Sequence, residues 1–244
     1  MKKLLLICVI GIIFCSVLSV AADPIKVAIN PDTKPFKYLD ENGEFAGIDA
    51  EVINIVARSQ DLEIELVPME FSKIIDAVAS CEVDAAISAL TLTENRSKLV
   101  SFTDPYVMGA QAVFVRSKND GWKDISDPSI KIVGAKSGTT SEDSVTIISD
   151  MNKVESIFYT DYESLFKALE NDEIDAAVAD ELLAKSFVDS YADIMTIGQP
   201  LSAEVYAIAV CPSNTELLQT LNNGLNELRR NGTLDQIVLD NLMR

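Results

Sequence analysis

One arginine stands where it could bind a carboxylate. Arg96 lies one turn into a predicted helix that begins after the segment Ala89-Leu90-Thr91. A guanidinium beside the free backbone N–H groups of a helix start, with a threonine hydroxyl nearby, is typical of a carboxylate site. The alternative interpretation is a surface ion pair with Glu94 or Asp104.

An aspartate is predicted at the carboxyl end of a buried strand. Asp180 follows the apolar run Ala176-Ala177-Val178-Ala179. A carboxylate at this position could hold an ammonium group. The alternative is a helix N-cap for Glu181–Phe187, and one aspartate can serve both roles.

A third polar segment, Lys136-Ser137-Gly138-Thr139-Thr140, follows one predicted strand and precedes a helix. It resembles an anion-cradling loop, although it lacks the GxxxxGK[ST] spacing of a phosphate loop. The alternative is a glycine turn with a threonine cap. Phe71 and Phe36 also follow strand ends, where an aromatic ring either contacts a ligand or fills the core.

Together these residues predict a binding site for an α-amino acid zwitterion, with Arg96 as the cation and Asp180 as the anion. Nucleophilic catalysis has little support and His-based acid–base catalysis is excluded, because the chain has no GxSxG motif and no histidine. No spacing of Cys, Asp or Glu is typical of a metal site, and no cofactor is predicted.

The elements that must position these residues come from an internal repeat. Ile74–Leu90 reads IIDAVASCEVDAAISAL, and Leu165–Glu181 reads LFKALENDEIDAAVADE. Each copy predicts an apolar helix face, an acidic turn and a buried parallel strand. The two copies predict an α/β fold of two lobes, with a cleft where the carboxyl ends of their strands face each other. Asp180 takes the position that Ala89 has in the other copy.

The predicted lobes are joined by two hinge strands. The polar stretch Ser117–Asp127 is interpreted as a lobe boundary, and the chain is expected to cross near Val113 and near Tyr206. Lobe 1 then comprises residues 23–113 and 205–244, and lobe 2 comprises residues 114–204.

Local signals predict a hairpin over Tyr38–Phe45 and the starts of three helices. The hairpin turns at Glu41-Asn42-Gly43. Asp49, Ser72 and Thr93 are each predicted to cap a helix N-terminus.

Charge and the N-terminus restrict partners and location. A formal net charge of −18 over 244 residues makes nucleic acid a poor partner, because phosphate binding needs a basic surface. Residues 1–22 are typical of an export signal, with an uncleaved membrane anchor as the alternative. Cys81 and Cys211 remain in the mature chain, either as a disulfide or as buried free thiols.

Several motifs occur in an order typical of one family. They are Pro35-Phe36, Glu41-Asn42-Gly43, Gly47-Ile48-Asp49, Leu92-Thr93-Glu94-Asn95-Arg96, Phe102-Thr103-Asp104-Pro105-Tyr106, Lys136-Ser137-Gly138-Thr139-Thr140 and Asp175-Ala176-Ala177-Val178-Ala179-Asp180. From Ile25 to the C-terminus the chain resembles the family 3 extracellular solute-binding proteins of polar amino-acid ABC importers. The resemblance implies a type II periplasmic-binding-protein fold.

The resemblance also implies how the ligand carboxylate is bound. Arg96 would bind it, assisted by the hydroxyl and backbone N–H of Thr91. Thr139 and Thr140 would reach the same carboxylate from the second lobe as the cleft closes.

The α-ammonium would be bound by the Ala89 carbonyl and the Asp180 carboxylate. Leu90, between Ala89 and Thr91, is included among the candidate binding residues.

The pocket for the ligand side chain is predicted to accept a polar neutral or acidic group. The resemblance implies that Phe71 forms one wall. Where the family commonly has an aromatic residue, two positions before Pro35, this chain has Thr33. Lys136 and Asn30 are expected to reach the distal end of the ligand, where a cationic side chain would meet like charge.

The predicted function is that of an exported, monomeric protein that binds a free amino acid, closes by hinge motion and presents the ligand to an ABC permease. One alternative is an enzyme similar to the cyclohexadienyl dehydratases, with Glu142 or Glu181 as its acid. Another is a ligand sensor without a transport role.

Overall fold

The structure, a computed structural model, describes residues 23–191 and 193–243, with backbone alone at 185, 186 and 188–190. The predicted export signal or anchor at residues 1–22 lies outside the described residues. No helix among the described residues has the length and apolar character needed to cross a membrane.

The chain alternates strands and helices. Its first part contains β1 (Ile25–Ile29), β2 (Asp32–Thr33), β3 (Lys37–Leu39), β4 (Phe45–Ala46), α1 (Ile48–Ser59), β5 (Ile64–Pro68), α2 (Phe71–Ala79), β6 (Ala85–Ala86), α3 (Glu94–Ser97) and β7 (Ser101–Phe102). Its middle part contains β8 (Val107–Arg116), β9 (Ile132–Lys136), α4 (Thr140–Asn152), β10 (Glu155–Tyr159), α5 (Tyr162–Glu170), β11 (Ala176–Asp180), α6 (Glu181–Ser190) and β12 (Ile194–Tyr206). It ends with β13 (Ala209–Val210), α7 (Thr215–Arg230) and α8 (Thr233–Leu242).

The two main sheets are built on the same plan. The first has the strand order β5-β1-β6-β13-β7, and the second has the order β10-β9-β11-β8-β12. In each, three parallel strands are followed by an antiparallel one. The two-lobed α/β fold of type II is therefore confirmed. The predicted hairpin is confirmed as β3 and β4, which pair antiparallel.

The internal repeat explains why the lobes match. Helix α2 buries Ile74, Ala77 and Val78, and helix α5 buries Leu165, Ala168 and Leu169 at the aligned positions. The aligned aspartates also act alike: Asp84 accepts the N–H of Lys26 at 2.9 Å, and Asp175 accepts those of Lys131 and Ile132 at 2.8 and 2.9 Å. Each acidic turn thus satisfies the backbone at the start of the neighbouring parallel strand.

The first crossing between the lobes lies earlier than predicted. Val113 pairs with Val178 of β11, so Val113 belongs to the second sheet. Strand β8 continues unbroken and apolar through this region, so no change in composition marks the crossing. Tyr206, near which the second crossing is predicted, pairs with Val107 at the end of β12, and the chain then enters β13 of the first sheet. The stretch Ser117–Asp127 connects two strands of the second sheet and is not a lobe boundary.

One of the three predicted helix caps is confirmed. The Thr93 side chain accepts the N–H of Arg96 and begins α3. Helix α2 is preceded by Glu70, so Ser72 lies inside it. Helix α1 is preceded by Gly47, whose φ of 99° and contact with the Pro35 and Phe36 carbonyls leave no room for a Cβ.

Cys81 and Cys211 form a disulfide, which decides between the two alternatives left by the sequence. Cys81 follows α2 and Cys211 follows β13, so both lie in lobe 1. The loop that the bond closes has a sequence separation of 130 and contains all of lobe 2.

Candidate functional site

A cavity of about 360 Å³ lies between the lobes, where the strands of both sheets end. Eight of the predicted site residues line it: Phe71, Ala89, Thr91, Arg96, Lys136, Thr139, Thr140 and Asp180. Five residues that the sequence did not single out as site residues also line it: Lys37, Ser141, Tyr162, Leu183 and Tyr206.

Arg96 faces this cavity from lobe 1. Its Nη1 donates to the Thr91 carbonyl at 2.9 Å, and its Nη2 donates across the cleft to the Gly138 carbonyl at 2.9 Å. Glu94 pairs with Lys98 instead, so the predicted alternative of a surface ion pair with Glu94 is wrong. Burial lowers the pKa of Arg96, although the negative charges of Asp143 and Glu204 oppose that effect.

Asp180 faces the cavity from lobe 2 and has two roles. Its Oδ1 caps α6 by accepting the N–H groups of Leu182 at 2.9 Å and Leu183 at 3.2 Å. Its Oδ2 is buried and accepts no hydrogen bond from the residues that the structure describes. Burial raises the pKa of Asp180 to about 7, and the negative charges of Glu204 and Glu181 add to the rise.

A second buried polar atom without a partner lies close to the Asp180 carboxylate. The hydroxyl of Tyr206 has no hydrogen bond within the described part of the chain. A Cβ on Gly109 would lie 2.8 Å from this hydroxyl and 2.9 Å from Asp180 Oδ2. The missing side chain of Gly109 therefore keeps open a small space with two oxygen acceptors. Buried polar groups are normally hydrogen-bonded, and a donor such as an ammonium group could bond to both oxygens from this space.

The loop of residues 136–140 forms the opposite wall. The Thr139 hydroxyl donates to the Lys136 carbonyl at 2.6 Å, and the N–H of Gly138 donates to Glu142 at 2.5 Å. Thr139 is the N-cap of α4, but its side chain makes no capping bond. The Thr140 hydroxyl accepts from Gln111 at 2.7 Å. The loop is thus held in shape by its own bonds and by the hinge strand β8.

Lys136 points inward, and it is only 1% exposed. Its Nζ donates to Asn30 Oδ1 at 3.1 Å and to Asp32 Oδ2 at 2.5 Å, both in lobe 1. The expected proximity of Lys136 and Asn30 is therefore present, although Asn30 does not line the cavity itself. Burial and the charge of Lys37 together lower the pKa of Lys136 to about 8, against the opposing effect of Asp32.

Two predicted residues lie behind the cavity wall. The Leu90 side chain is fully buried in the core of lobe 1, and its carbonyl accepts the N–H of Ala207 at 3.1 Å. Thr33 is buried, and its hydroxyl donates to Asp32 at 2.6 Å. Both residues support the site from outside the cavity. Phe36 is likewise a core residue, packed edge-on against Tyr206.

The repeat contains a signal that could have identified Tyr162. In the alignment of the two copies Tyr162 falls on Phe71, and each aromatic residue begins its helix and lines the cavity. Lys37 had no such signal, because a lysine in a hairpin is usually exposed. Tyr206 was expected only as part of a hinge strand.

The candidate acids of the enzyme alternative do not reach the cavity. Glu142 accepts the Gly138 N–H, and Glu181 is exposed at the start of α6. Among the described residues no cluster of three or more His, Cys, Asp or Glu side chains could hold a metal ion.

A two-lobed fold with a polar cavity at facing strand ends is the architecture of a ligand-binding protein. Sequence comparison identifies the family to which the chain belongs. The profile of the bacterial extracellular solute-binding proteins, family 3, matches residues 25–240. The chain belongs to this family. Its members are binding proteins and not enzymes, which agrees with the positions of Glu142 and Glu181.

Curated relatives of this solute-binding protein are named for amino acids. The chain is 28% identical to the ABC transporter arginine-binding protein 1 of Escherichia coli (strain K12), with 89% of this chain and 90% of that protein covered. It is also 28% identical to a probable histidine-binding protein of Campylobacter jejuni, with 88% and 83% covered.

The solved structures that the chain resembles are also amino-acid-binding proteins. An ancestral arginine-binding protein bound to arginine is 33% identical, with a TM-score of 0.83 over 89% of this chain and 97% of that one. An ancestral arginine-binding protein bound to glutamine has a TM-score of 0.82 at the same identity and coverage. An ancestral amino-acid-binding protein, described as a precursor of cyclohexadienyl dehydratase, is 26% identical with a TM-score of 0.81 over 90% and 95%.

Proposed function

We propose that this chain binds a free L-amino acid in the cavity and delivers it to an ABC importer. The observation that carries the proposal is Asp180 Oδ2 beside the Tyr206 hydroxyl, two buried oxygens that have no hydrogen-bond partner in the part of the chain that the structure describes. An α-ammonium placed there would donate to both oxygens and remove the cost of burying them without a partner.

The α-carboxylate is assigned to Arg96, Thr91 and the loop of residues 136–140. Arg96 already bridges the lobes through the Thr91 and Gly138 carbonyls. A ligand carboxylate offers the guanidinium a charged acceptor in place of a neutral one, and such bonds are shorter and stronger. Thr139 and Thr140 line the same wall from lobe 2.

The side chain is proposed to be polar neutral or acidic. Lys136 and Lys37 line the far wall, so a guanidinium or ammonium side chain would enter a site that already has two cations. This assignment differs from the arginine and histidine in the names of the relatives above, and it rests on the charges of this chain's own cavity.

Location and assembly are part of the same proposal. The protein is proposed to act outside the cytoplasmic membrane, in the periplasm or at the cell surface, as a monomer that docks on its permease. Residues 1–22 are proposed as the export signal.

A thermal-shift screen against the common amino acids tests the proposal. A ligand present at 100 times its dissociation constant adds about 2.7 kcal/mol to the free energy of unfolding. Competition calorimetry between glutamine and arginine then tests the side-chain class. Stabilisation by none of the amino acids contradicts the function, and a clear preference for arginine contradicts the proposed side chain alone.

A further inference from the structure

Two buried lysines share one aspartate at the far end of the cavity. Asp32 accepts from Lys37 Nζ at 3.0 Å through Oδ1 and from Lys136 Nζ at 2.5 Å through Oδ2. Each lysine side chain is only 1% exposed. Both ammonium groups also lie near the Phe71 ring, at 6.0 Å for Lys37 and 5.2 Å for Lys136.

Among the described residues, Asp32 is the one acidic side chain that forms a direct ion pair with either lysine. Burial acts to raise the pKa of Asp32, but the two lysine charges outweigh it and lower the pKa to about 2, so Asp32 is a fixed carboxylate. The charge of Asp49 also acts on Lys37, but its oxygens accept the Ala89 N–H and the Tyr106 hydroxyl at 2.7 Å each. The charge of Asp161 acts on Lys136, and its carboxylate caps α5 by accepting the N–H of Ser164 at 2.7 Å.

A buried ammonium group is costly unless its N–H donors are paired, because the low dielectric does not screen its charge. The burial of Lys37 is unexplained by packing alone, since a lysine in a hairpin can place its ammonium group in solvent. Among the described residues, Lys37 and Lys136 share the carboxylate of Asp32 as their one direct ion-pair partner. A ligand carboxylate would give the two lysines a second charged acceptor.

We propose that Lys37 is a specificity-determining residue that, with Lys136, selects amino acids carrying a side-chain carboxylate over their neutral amides. This inference rests on the proposed function and narrows it to dicarboxylic amino acids such as glutamate or aspartate. Asp32 sets the strength of the selection, because it cancels one of the two lysine charges and holds both lysines in place.

The experiment is calorimetry of L-glutamate and L-glutamine with the wild type, Lys37→Met, Asp32→Asn and Lys73→Met. Lys73 is a matched control, since its side chain is 70% exposed and pairs with Glu70 on α2. The wild type is expected to bind glutamate at least about tenfold more tightly than glutamine, as for a hydrogen bond to a charged group. Lys37→Met should lower the affinity for glutamate by about tenfold or more and the affinity for glutamine by less than about threefold.

Asp32→Asn should change the ratio of glutamate affinity to glutamine affinity in the direction opposite to Lys37→Met. Removing this carboxylate takes away the direct ion-pair partner of both lysines, so the preference for glutamate over glutamine should increase. If Lys37→Met does not fold, Asp32→Asn tests the proposal by itself. An unchanged or lower ratio of glutamate affinity to glutamine affinity in Asp32→Asn contradicts the proposal. Lys73→Met should bind both ligands with the affinities of the wild type.

Two kinds of failure are distinguishable. Binding of no amino acid by the wild type overturns the proposed function. Two other results overturn only the role of Lys37. One is a wild-type affinity for glutamine that equals or exceeds its affinity for glutamate. The other is an equal loss of affinity for both ligands in Lys37→Met.

Discussion

Arg96 and Asp180 face one cavity from different lobes, and each has unused capacity for a ligand. Arg96 uses neutral carbonyl acceptors, and Asp180 keeps one buried oxygen without a partner among the described residues. A zwitterion satisfies both residues at once. Each of these two residues therefore carries one prediction.

Arg96→Ala is expected to abolish amino-acid binding and to leave the fold intact. A carboxylate buried without its guanidinium partner loses on the order of 3–5 kcal/mol, or two to four orders of magnitude in affinity. Calorimetry measures the loss, and circular dichroism checks the fold. Arg58→Ala, on the exposed last turn of α1, is the control and should bind normally. Near-normal affinity in Arg96→Ala would refute its role.

Ligand affinity is expected to fall as the pH decreases below 7. The α-ammonium binds the ionised form of Asp180, whose pKa is raised to about 7 by burial and by Glu204 and Glu181. Below that pH the unliganded carboxyl is protonated, so affinity should decline by about tenfold per pH unit. Calorimetry between pH 5 and 8 measures the slope. Asp180→Asn should bind weakly with little pH dependence, and a flat wild-type profile would exclude this ion pair.

At the scale of elements, the disulfide connects the end of α2 to the end of β13. Cys211 lies just after the chain returns to lobe 1, and the closed loop contains all of lobe 2. The bond thus restrains the unfolded chain without touching the cavity, since neither cysteine lines it.

Cys81→Ala with Cys211→Ala is expected to destabilise the protein and to leave ligand affinity unchanged. Loss of a bond that closes so long a loop costs roughly 2–5 kcal/mol, which lowers the melting temperature by roughly 5–15 °C. Scanning calorimetry with and without a phosphine reductant measures it. Reductant should lower the melting temperature of the wild type and not that of the double variant. An unchanged melting temperature in the double variant would show that the bond adds no stability.

At the scale of the whole molecule, the lobes meet through a few polar contacts. Arg96 reaches Gly138, and Lys136 reaches Asn30 and Asp32. Polar contacts across a cleft resemble those of a transient interface, so an equilibrium between open and closed forms is expected.

Saturating ligand is expected to decrease the radius of gyration of the protein. A zwitterion that bridges Arg96 and Asp180 binds the closed form better and shifts the population toward it. Small-angle scattering measures the change. Arg96→Ala at the same ligand concentration should keep the unliganded radius. If wild type with confirmed binding shows no decrease, closure around the ligand is excluded.

The sequence alone determined the fold class and predicted Arg96 and Asp180 as the two charged residues of the proposed binding site. The repeat of helix, acidic turn and strand is local and periodic, so it predicts two matching lobes. Arg96 and Asp180 could be identified because each follows a strand end or begins a helix, where position along the chain implies position in space.

Only the tertiary structure decided how distant segments meet. The disulfide joins residues 130 positions apart, and Lys136 reaches Asp32 across 104 positions. The burial of Lys37, the unpaired Tyr206 hydroxyl and the early hinge crossing depend on such contacts. Local pattern cannot encode them, because the same lysine or tyrosine is equally compatible with solvent until the opposite lobe is in place.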